Sequence, residues 1–273
     1  MLRILYFTTF AALGECYETH VLAGYTSICS LPQVSLRVQS STCYNHVCGG
    51  VLIKTNWVLT AHQLQNICFK FRTINLFVLC SIAVSLVVLG EHDLTASERK
   101  EQFFGVSAIY IHPSWNSDLT AGNDVALIRL TSNAILNSYV QLATLPPAGQ
   151  ILSGNTACYV TGWGFTQNGG FLSAQLRQAS LPSVDYATCS SSTWWGAAVK
   201  TTMICAGGAG TAAGCNGDSG GPLNCVVGGR YVVHGLTSFV STAGCNTIRK
   251  PTVFTRRIII SFYIFSIIRI INY

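Results

Sequence analysis

Gly217-Asp218-Ser219-Gly220-Gly221-Pro222, preceded by Cys215, is the stretch of this sequence with the most specific chemistry. A serine hydroxyl is a weak nucleophile until a neighbouring base removes its proton. Glycines on both sides let the backbone turn sharply and leave amide N–H groups to face a developing oxyanion. A serine between glycines is often only a turn, but the preceding Asp and the following Gly-Gly-Pro favour a nucleophile.

Short runs of β-branched and aromatic residues recur on both sides of this hexad, between clusters of Gly, Pro, Asn and Ser. They are 33–39, 50–60, 106–112, 124–130, 157–164, 230–239 and 252–255. Strands at this spacing favour an all-β sandwich or barrel. Pro146-Pro147 with Gly149 is the best break, so we predict two β-lobes with a site between them.

The composition excludes several classes of protein. Apolar residues make up 49% of the 273 residues and charged residues only 10%, against a norm of roughly 25% charged, which excludes intrinsic disorder. The net charge of +6 is scattered along the chain, so we expect no nucleic-acid partner. The length predicts one or two domains.

Twelve cysteines and an apolar stretch after Arg3 predict a secreted protein. Residues 1–15 are predicted to be a signal peptide and 16–20 a short propeptide remnant.

The apolar runs 76–89 and 258–268 are shorter than the roughly 20 residues that span a membrane. We therefore expect buried core and no membrane contact, with a membrane-held protein as a rival interpretation.

Several motifs resemble those of the chymotrypsin-like serine proteases. Besides the hexad, they are Cys48-Gly49-Gly50, Asn56-Trp57-Val58-Leu59-Thr60-Ala61, Asn123-Asp124-Val125-Ala126-Leu127 and Thr161-Gly162-Trp163-Gly164, and the stretches 136–142, 184–192 and 249–256 are similar to the pancreatic elastases. The resemblance covers 33–61 and 87–256. It implies an all-β fold of two six-stranded antiparallel β-barrels with the site in their cleft, and a domain over 21–273.

The resemblance also implies the catalytic residues. Ser219 would be the nucleophile, Asp124 the buried carboxylate that orients the base, and the backbone amides of Gly217 and Ser219 the oxyanion hole. His62 is the candidate base. The other histidines of the domain, His46, His92, His112 and His234, fall where elastases carry non-catalytic histidines.

Besides the activation site around His20 and Val21, the chain departs from the family in two segments, 62–86 and 257–273. The family reads Thr-Ala-Ala-His-Cys where this chain reads Thr60-Ala61-His62-Gln63, and the loss of one residue from an extended segment reverses the face of the side chain. We therefore expect the Asp124–Ser219 half of the site to be in place, with weak or absent activity. A register shift that restores the imidazole is one alternative, and a protease-fold binding protein is another. The second segment makes the family's C-terminal helix doubtful.

The resemblance further predicts specificity and activation. The substrate pocket would be formed by Ala213, Ser238, Val240 and Thr252. A neutral floor and bulky walls predict an elastase-like endopeptidase that cleaves after small apolar residues. Activation would pair the α-amino group of a new Val21 terminus with Asp218, although His20 is not a trypsin cleavage residue.

By resemblance, three disulfides and a calcium loop are also expected. The disulfides are Cys158–Cys225, Cys189–Cys205 and Cys215–Cys245, and the Ca²⁺ ligands are Glu91, Asp93, Ala96, Glu98 and Glu101. Cys48 has lost the family's partner, and either Cys68 or Cys80 would have to replace it. No cofactor is expected for catalysis. The partners expected are protein or peptide substrates and protein inhibitors, with the chain a monomer.

Overall fold

The computed structural model describes residues 14–15, 32–40, 43–62, 84–147 and 149–256. These residues form two curled antiparallel sheets, one from the N-terminal half of the chain and one from the C-terminal half together with Gly14–Glu15. Residues 1–13 of the predicted signal peptide, the propeptide remnant, Val21 and 257–273 lie outside the described residues, whereas the last two residues of the predicted signal peptide, Gly14–Glu15, form a short strand.

The N-terminal sheet has seven strands in the order β6-β5-β2-β3-β4-β8-β7. Their bounds are β2 Gln33–Ser40, β3 Cys43–Lys54, β4 Trp57–Thr60, β5 Leu86–Leu89, β6 Gln102–Phe104, β7 Val106–Ile111 and β8 Ala126–Leu130. Only Gly105 separates β6 from β7, yet β6 pairs with β5 and β7 pairs with β8. One stretch of chain, bent at Gly105, therefore supplies both edge strands of this sheet. The sheet has seven short strands, rather than the six expected, because this stretch counts as two.

The C-terminal sheet has eight strands in the order β1-β10-β9-β13-β14-β15-β12-β11. Their bounds are β1 Gly14–Glu15, β9 Cys158–Gly162, β10 Arg177–Ser180, β11 Ser183–Val184, β12 Met203–Ala206, β13 Pro222–Val227, β14 Arg230–Phe239 and β15 Thr252–Arg256. Leu181 and Pro182 separate β10 from β11, which lie near opposite edges. Proline has no N–H to donate to a ladder, so the strand ends there.

An apolar cluster joins the two sheets where they meet. Val51, Leu59 and Leu127 of the N-terminal sheet pack with Val233 and Leu236 of the C-terminal sheet. Each sheet also has a core of its own. Because the joining cluster includes residues of β3, β4, β8 and β14, these four strands hold the two halves together beside the cleft.

Helix is scarce in the described part of the chain. Its α-helix, α1, spans Tyr186–Cys189, and Asp185 caps it by accepting a hydrogen bond from the Thr188 amide. Short 3₁₀ turns lie at Leu119–Ala121 and Gly196–Ala198. No helix among the described residues is long and apolar enough to span a membrane.

The predicted all-β fold is confirmed. Each of the seven predicted runs contains a strand. Within the apolar run 76–89, residues 84 and 87–89 are buried, as expected of core, and the remainder of that run up to 83 lies outside the described residues. The division into domains stays a prediction.

Candidate active site

Ser219 lies on a loop tied to both sheets. Its carbonyl accepts a hydrogen bond from the Gly49 amide at 2.9 Å, which ties the loop to β3. On the other side, Gly220 donates to the Thr237 carbonyl and Thr237 donates to the Gly221 carbonyl, each at 2.8 Å, which ties the loop to β14. The serine is thereby fixed at the junction of the two halves.

Gly220 lets the end of β4 pack directly onto this loop. Its φ is +76°, a left-handed conformation. A Cβ at this position would lie 2.2 Å from Thr60 Oγ1 and 2.9 Å from the Ala61 amide nitrogen. A glycine here therefore permits the contact between Ser219's loop and the segment that carries His62.

The backbone of Gly217 presents its amide in a fixed direction. The carbonyl of Asn216, in the same peptide unit, accepts from the Phe165 amide at 2.8 Å. Since N–H and C=O point in opposite directions across a trans peptide, the Gly217 N–H faces away from Phe165. The Gly217 carbonyl contacts His46 Nε2 at 3.1 Å, so both peptide planes beside Gly217 are held.

Asp218 is a buried carboxylate directly before Ser219. Its Oδ1 accepts from the Gly164 amide and its Oδ2 from the Cys215 amide, each at 2.8 Å. Burial raises the pKa of Asp218 to about 6, against the effect of these two hydrogen bonds. A Cβ on Gly162 would lie 2.1 Å from Oδ1, so the carboxylate fills space that glycines leave open.

Asp124 is fully buried just before β8. Its Oδ2 accepts a hydrogen bond from the Ser238 hydroxyl at 2.6 Å, and its backbone carbonyl accepts from Thr255 Oγ1 at 2.9 Å. Strands β14 and β15 of the C-terminal sheet therefore orient a carboxylate carried by the N-terminal half. The sequence had suggested Ser238 only as a substrate-aligning residue.

His62 is buried two residues after Thr60, and its ring packs against Trp115 with centroids 5.3 Å apart. In the β4–β8 ladder Trp57 pairs with Arg129 and Thr60 with Ala126. The ladder ends at Thr60, and its register, continued by two residues, would bring His62 opposite Asp124. Residues directly opposite each other across antiparallel strands have Cβ atoms about 4.5–5.5 Å apart.

His46, which the sequence placed among the non-catalytic histidines, contacts Gly217 in the loop before Ser219. It is buried on β3, its Nδ1 lies 2.9 Å from the Ser35 hydroxyl, and its ring packs on Trp163. Burial lowers the pKa of His46 to about 4, despite the opposing hydrogen bond to Gly217, and the nearby charge of Arg37 lowers it further. The ring is neutral at pH 7, which suits a structural role.

A pocket of about 430 Å³ opens beside Ser219, and Ser238 and Val240 line it. All the side chains that line it are uncharged. Thr252 is fully buried, and its hydroxyl accepts from the Gly214 amide at 3.0 Å. Neither Thr252 nor Ala213 is among the lining residues, so the structure brings Ser238 and Val240 to the pocket itself and places Thr252 in the wall behind.

Comparison with known proteins fixes the family. The model of the family described as "Trypsin" matches residues 26–261. The chain belongs to the trypsin family. Chymotrypsin-like elastase family member 1 of Bos taurus is 51% identical over 265 residues, covering 94% of each chain. The Homo sapiens protein of the same name is 52% identical over 225 residues and covers 82% of each chain.

A third relative, Proproteinase E of Bos taurus, is 49% identical over 228 residues, covering 82% of this chain and 84% of the relative. The predicted membership of the chymotrypsin-like serine proteases is therefore confirmed, and the chain is an elastase-like member of a family of serine endopeptidases that need no cofactor for catalysis. These relatives give no support to the alternative of a binding protein.

The expected disulfides of this trypsin-family chain are present in the structure. They are Cys158–Cys225, Cys189–Cys205 and Cys215–Cys245. Cys48 carries a free thiol and is fully buried. It directly precedes Gly49, whose amide donates to the Ser219 carbonyl. Burial, together with the charges of Asp124 and Asp218, raises the pKa of this thiol well above its usual range. Cys68 and Cys80 lie outside the described residues.

The expected calcium loop of this family member is closed by internal contacts. A guanidinium nitrogen of Arg37 binds Glu91 Oε2. Glu101 accepts from the backbone amides of Glu98 and Lys100, at 2.6 and 3.0 Å. Asp93 accepts from the Thr95 amide at 2.9 Å.

Among the described residues, no group of three acidic, His or Cys side chains is placed to hold a metal ion. A cationic side chain already contacts Glu91 Oε2. The prediction of a Ca²⁺ site is not confirmed.

Proposed function

We propose that this protein is a secreted serine endopeptidase that cleaves after small apolar residues through an acyl-enzyme. One observation carries the proposal: the end of β4, two residues before His62, packs on Gly220 beside Ser219. Its register, continued past Thr60, would bring His62 opposite Asp124, which supports the convergence of nucleophile, base and orienting carboxylate where the two sheets meet.

In the proposed reaction His62 Nε2 takes the proton of the Ser219 hydroxyl as its oxygen attacks the substrate carbonyl. Asp124 accepts a hydrogen bond from the second ring nitrogen and stabilises the imidazolium. The amides of Gly217 and Ser219 donate to the oxyanion. His62 then protonates the leaving amine, and water hydrolyses the acyl-enzyme by the same route.

The pocket supports the proposed specificity. It has no charged side chain to pair with a substrate Lys or Arg, and burying an unpaired charge is costly. Val240 restricts the space beside Ser219, with Thr252 in the wall behind and Ala213 at the expected floor. Small apolar side chains fill such a pocket without leaving polar groups unpaired.

Asp218 supports a proposed activation step. Its carboxylate is buried with two amide donors and a raised pKa, so an α-amino group from Val21 would supply the missing positive charge. Because His20 precedes Val21, we expect trypsin not to produce this terminus. N-terminal sequencing that shows Val21 after trypsin treatment would contradict this expectation.

We propose protein or peptide substrates, protein protease inhibitors as partners, and a monomeric chain. Secretion is supported by three disulfides, which persist in oxidising compartments, and by the apolar N-terminal stretch. The modest and scattered charge supports the absence of a nucleic-acid partner.

The test of the proposed function is hydrolysis of matched peptide esters by the activated chain. We expect cleavage of the Ala ester in strong preference to the Arg ester, and loss of cleavage in Ser219→Ala and in His62→Ala. One residue is missing before His62 relative to the family, and the β4–β8 ladder ends at Thr60, so we expect a displaced base. Since a displacement of about 1 Å costs on the order of 100-fold, we expect turnover about that far below the bovine relative.

Each other outcome contradicts a defined part of the proposal. Preference for the Arg ester contradicts the pocket assignment. Unchanged turnover in His62→Ala, beside an inactive Ser219→Ala, shows that another group is the base. Turnover equal to that of the relative contradicts the expected displacement of His62.

A further inference from the structure

A row of four contacts made by side chains crosses the N-terminal sheet and ends at the backbone carbonyl of Gly217, in the loop before Ser219. Glu91 binds the guanidinium of Arg37, whose Nε lies 3.3 Å from the Ser35 hydroxyl. That hydroxyl lies 2.9 Å from His46 Nδ1, and His46 Nε2 lies 3.1 Å from the carbonyl of Gly217. The loop after β5 is thereby connected to a residue of the oxyanion hole.

The pairing of β2 with β3 explains why these side chains meet. Ser35 and Arg37 are two residues apart on β2 and share one face of the sheet. Arg37 is directly opposite His46 on β3, next to a register shift between Leu36 and Arg37. The three side chains therefore form a cluster on one face.

From the Nε–H of Arg37 onward, the donors in this row point toward Gly217. A carbonyl oxygen only accepts, so His46 Nε2 carries the hydrogen and donates it. The neutral ring then accepts at Nδ1 from the Ser35 hydroxyl. The oxygen of Ser35 keeps its lone pairs for the Nε–H of Arg37, so each member orients the next.

The far end of the row is firmly held. Only 12% of the Arg37 side chain and 3% of the Glu91 side chain are exposed. Burial raises the pKa of Glu91 to about 7, although the charge of Arg37 and its hydrogen bond to Glu91 both lower it. An arginine fixed in this way loses little entropy when it donates to Ser35.

We propose that Arg37, tethered by Glu91, is a positioning residue for the oxyanion hole and acts through Ser35 and His46 on Gly217. The inference rests on the proposed function. With Arg37 removed, the Ser35 hydroxyl is no longer fixed in the rotamer that donates to His46. The His46 ring then holds the Gly217 carbonyl less firmly, and the neighbouring amide loses its fixed direction toward the substrate oxyanion.

The direct test is NMR of the side-chain nitrogens of His46 and the amide of Gly217 in four proteins: the unmutated chain, Arg37→Gln, Ser35→Ala and Arg129→Gln. Ser35→Ala interrupts the row without removing the ion pair, so it serves if Arg37→Gln does not fold. Arg129→Gln is the matched control, because Arg129 lies on β8 of the same sheet, against Trp57.

We expect the His46 Nε2–H to exchange about tenfold faster in Arg37→Gln and in Ser35→Ala, since one hydrogen bond in the row is worth about that factor. The Gly217 amide resonance should move in the same two variants. Arg129→Gln should leave both signals unchanged. Unchanged signals in the two test variants, or equal changes in the control, would overturn the proposal.

Kinetics provides a second readout. With the Ala ester, we expect Arg37→Gln to lower kcat about tenfold and to leave KM within about twofold, because oxyanion stabilisation acts in the transition state. Arg37→Lys, which keeps the charge, should recover part of kcat. An unchanged kcat, or a change confined to KM, would overturn the positioning role. If the unmutated chain hydrolyses no ester, the proposed function fails, and the NMR signals alone decide the positioning proposal.

Discussion

Replacing Gly164 by alanine tests whether Asp218 is held as tightly as the structure indicates. A Cβ on Gly164 would lie 2.4 Å from both Asp218 Cγ and Oδ2, and 2.5 Å from Oδ1. The carboxylate has little room to retreat, because it is buried and held by two amides at 2.8 Å. One of those amides belongs to Gly164 itself.

The expected cost combines two effects. Overpacking a tight interior costs about 1–3 kcal/mol, and the loss of a hydrogen bond to a charged group costs about 1.5–3 kcal/mol. We therefore expect Gly164→Ala to lower the free energy of unfolding by about 3–5 kcal/mol. That is a large fraction of the roughly 5–15 kcal/mol typical of a folded protein.

Equilibrium urea unfolding with the disulfides intact measures this difference. Gly154→Ala is the matched control, since the nearest atom to its added Cβ is 3.8 Å away. We expect the control to change stability by less than about 1 kcal/mol. Equal stabilities of the two variants would show that Asp218 does not occupy the space beside Gly164, and the account of the loop before Ser219 would be wrong.

Three further predictions follow from individual contacts. Ser238→Ala removes the 2.6 Å hydrogen bond to Asp124 and should lower the free energy of unfolding by about 2–3 kcal/mol, whereas Ser241→Ala, at an adjoining position of the pocket, should be near neutral. Calcium at millimolar concentration should shift Tm by less than about 1 °C, because Arg37 contacts Glu91; a site filled to 100 times its Kd would instead stabilise by about 2.7 kcal/mol. In the unprocessed chain, the stability of the unmutated protein relative to Asp218→Asn should fall by up to about 3 kcal/mol between pH 4 and 6, because a raised pKa means that the folded state holds the proton more tightly; a rise over this interval, measured by urea unfolding, would contradict the buried and unpaired carboxylate.

The strands that the sequence predicted are those with a local signal. Residues 230–239 are β-branched and aromatic between turns, and they form β14 as expected. Met203–Ala206 forms β12 with every residue buried, so it has no alternation of apolar and polar residues to detect. Leu86–Leu89 was hidden in a longer apolar run, where a buried strand and other core look alike.

In the candidate site too, the sequence predicted the residues that carry a local signal and missed the contacts between residues far apart in the chain. Ser219 was predictable because its turn, its acid neighbour and its oxyanion amides lie in one hexad. The contact of His46 with Gly217 joins residues 171 positions apart, and no local pattern indicates it. The spacing of the acidic residues after Gly90 suggested calcium, but Arg37 comes from a strand 54 residues before Glu91, so only the sheet pairing shows which cation meets it.

Ser219 is proposed to be an activated nucleophile at the junction of the two sheets. Reaction with a fluorophosphonate probe tests this proposal most directly, because the probe labels only a serine whose proton a base removes. Mass spectrometry of the labelled peptides identifies the modified residue, with Ser219→Ala and His62→Ala as controls. We expect label on Ser219 that is lost in both variants. A folded, activated chain whose Ser219 stays unlabelled, or is labelled equally in His62→Ala, would contradict the proposal.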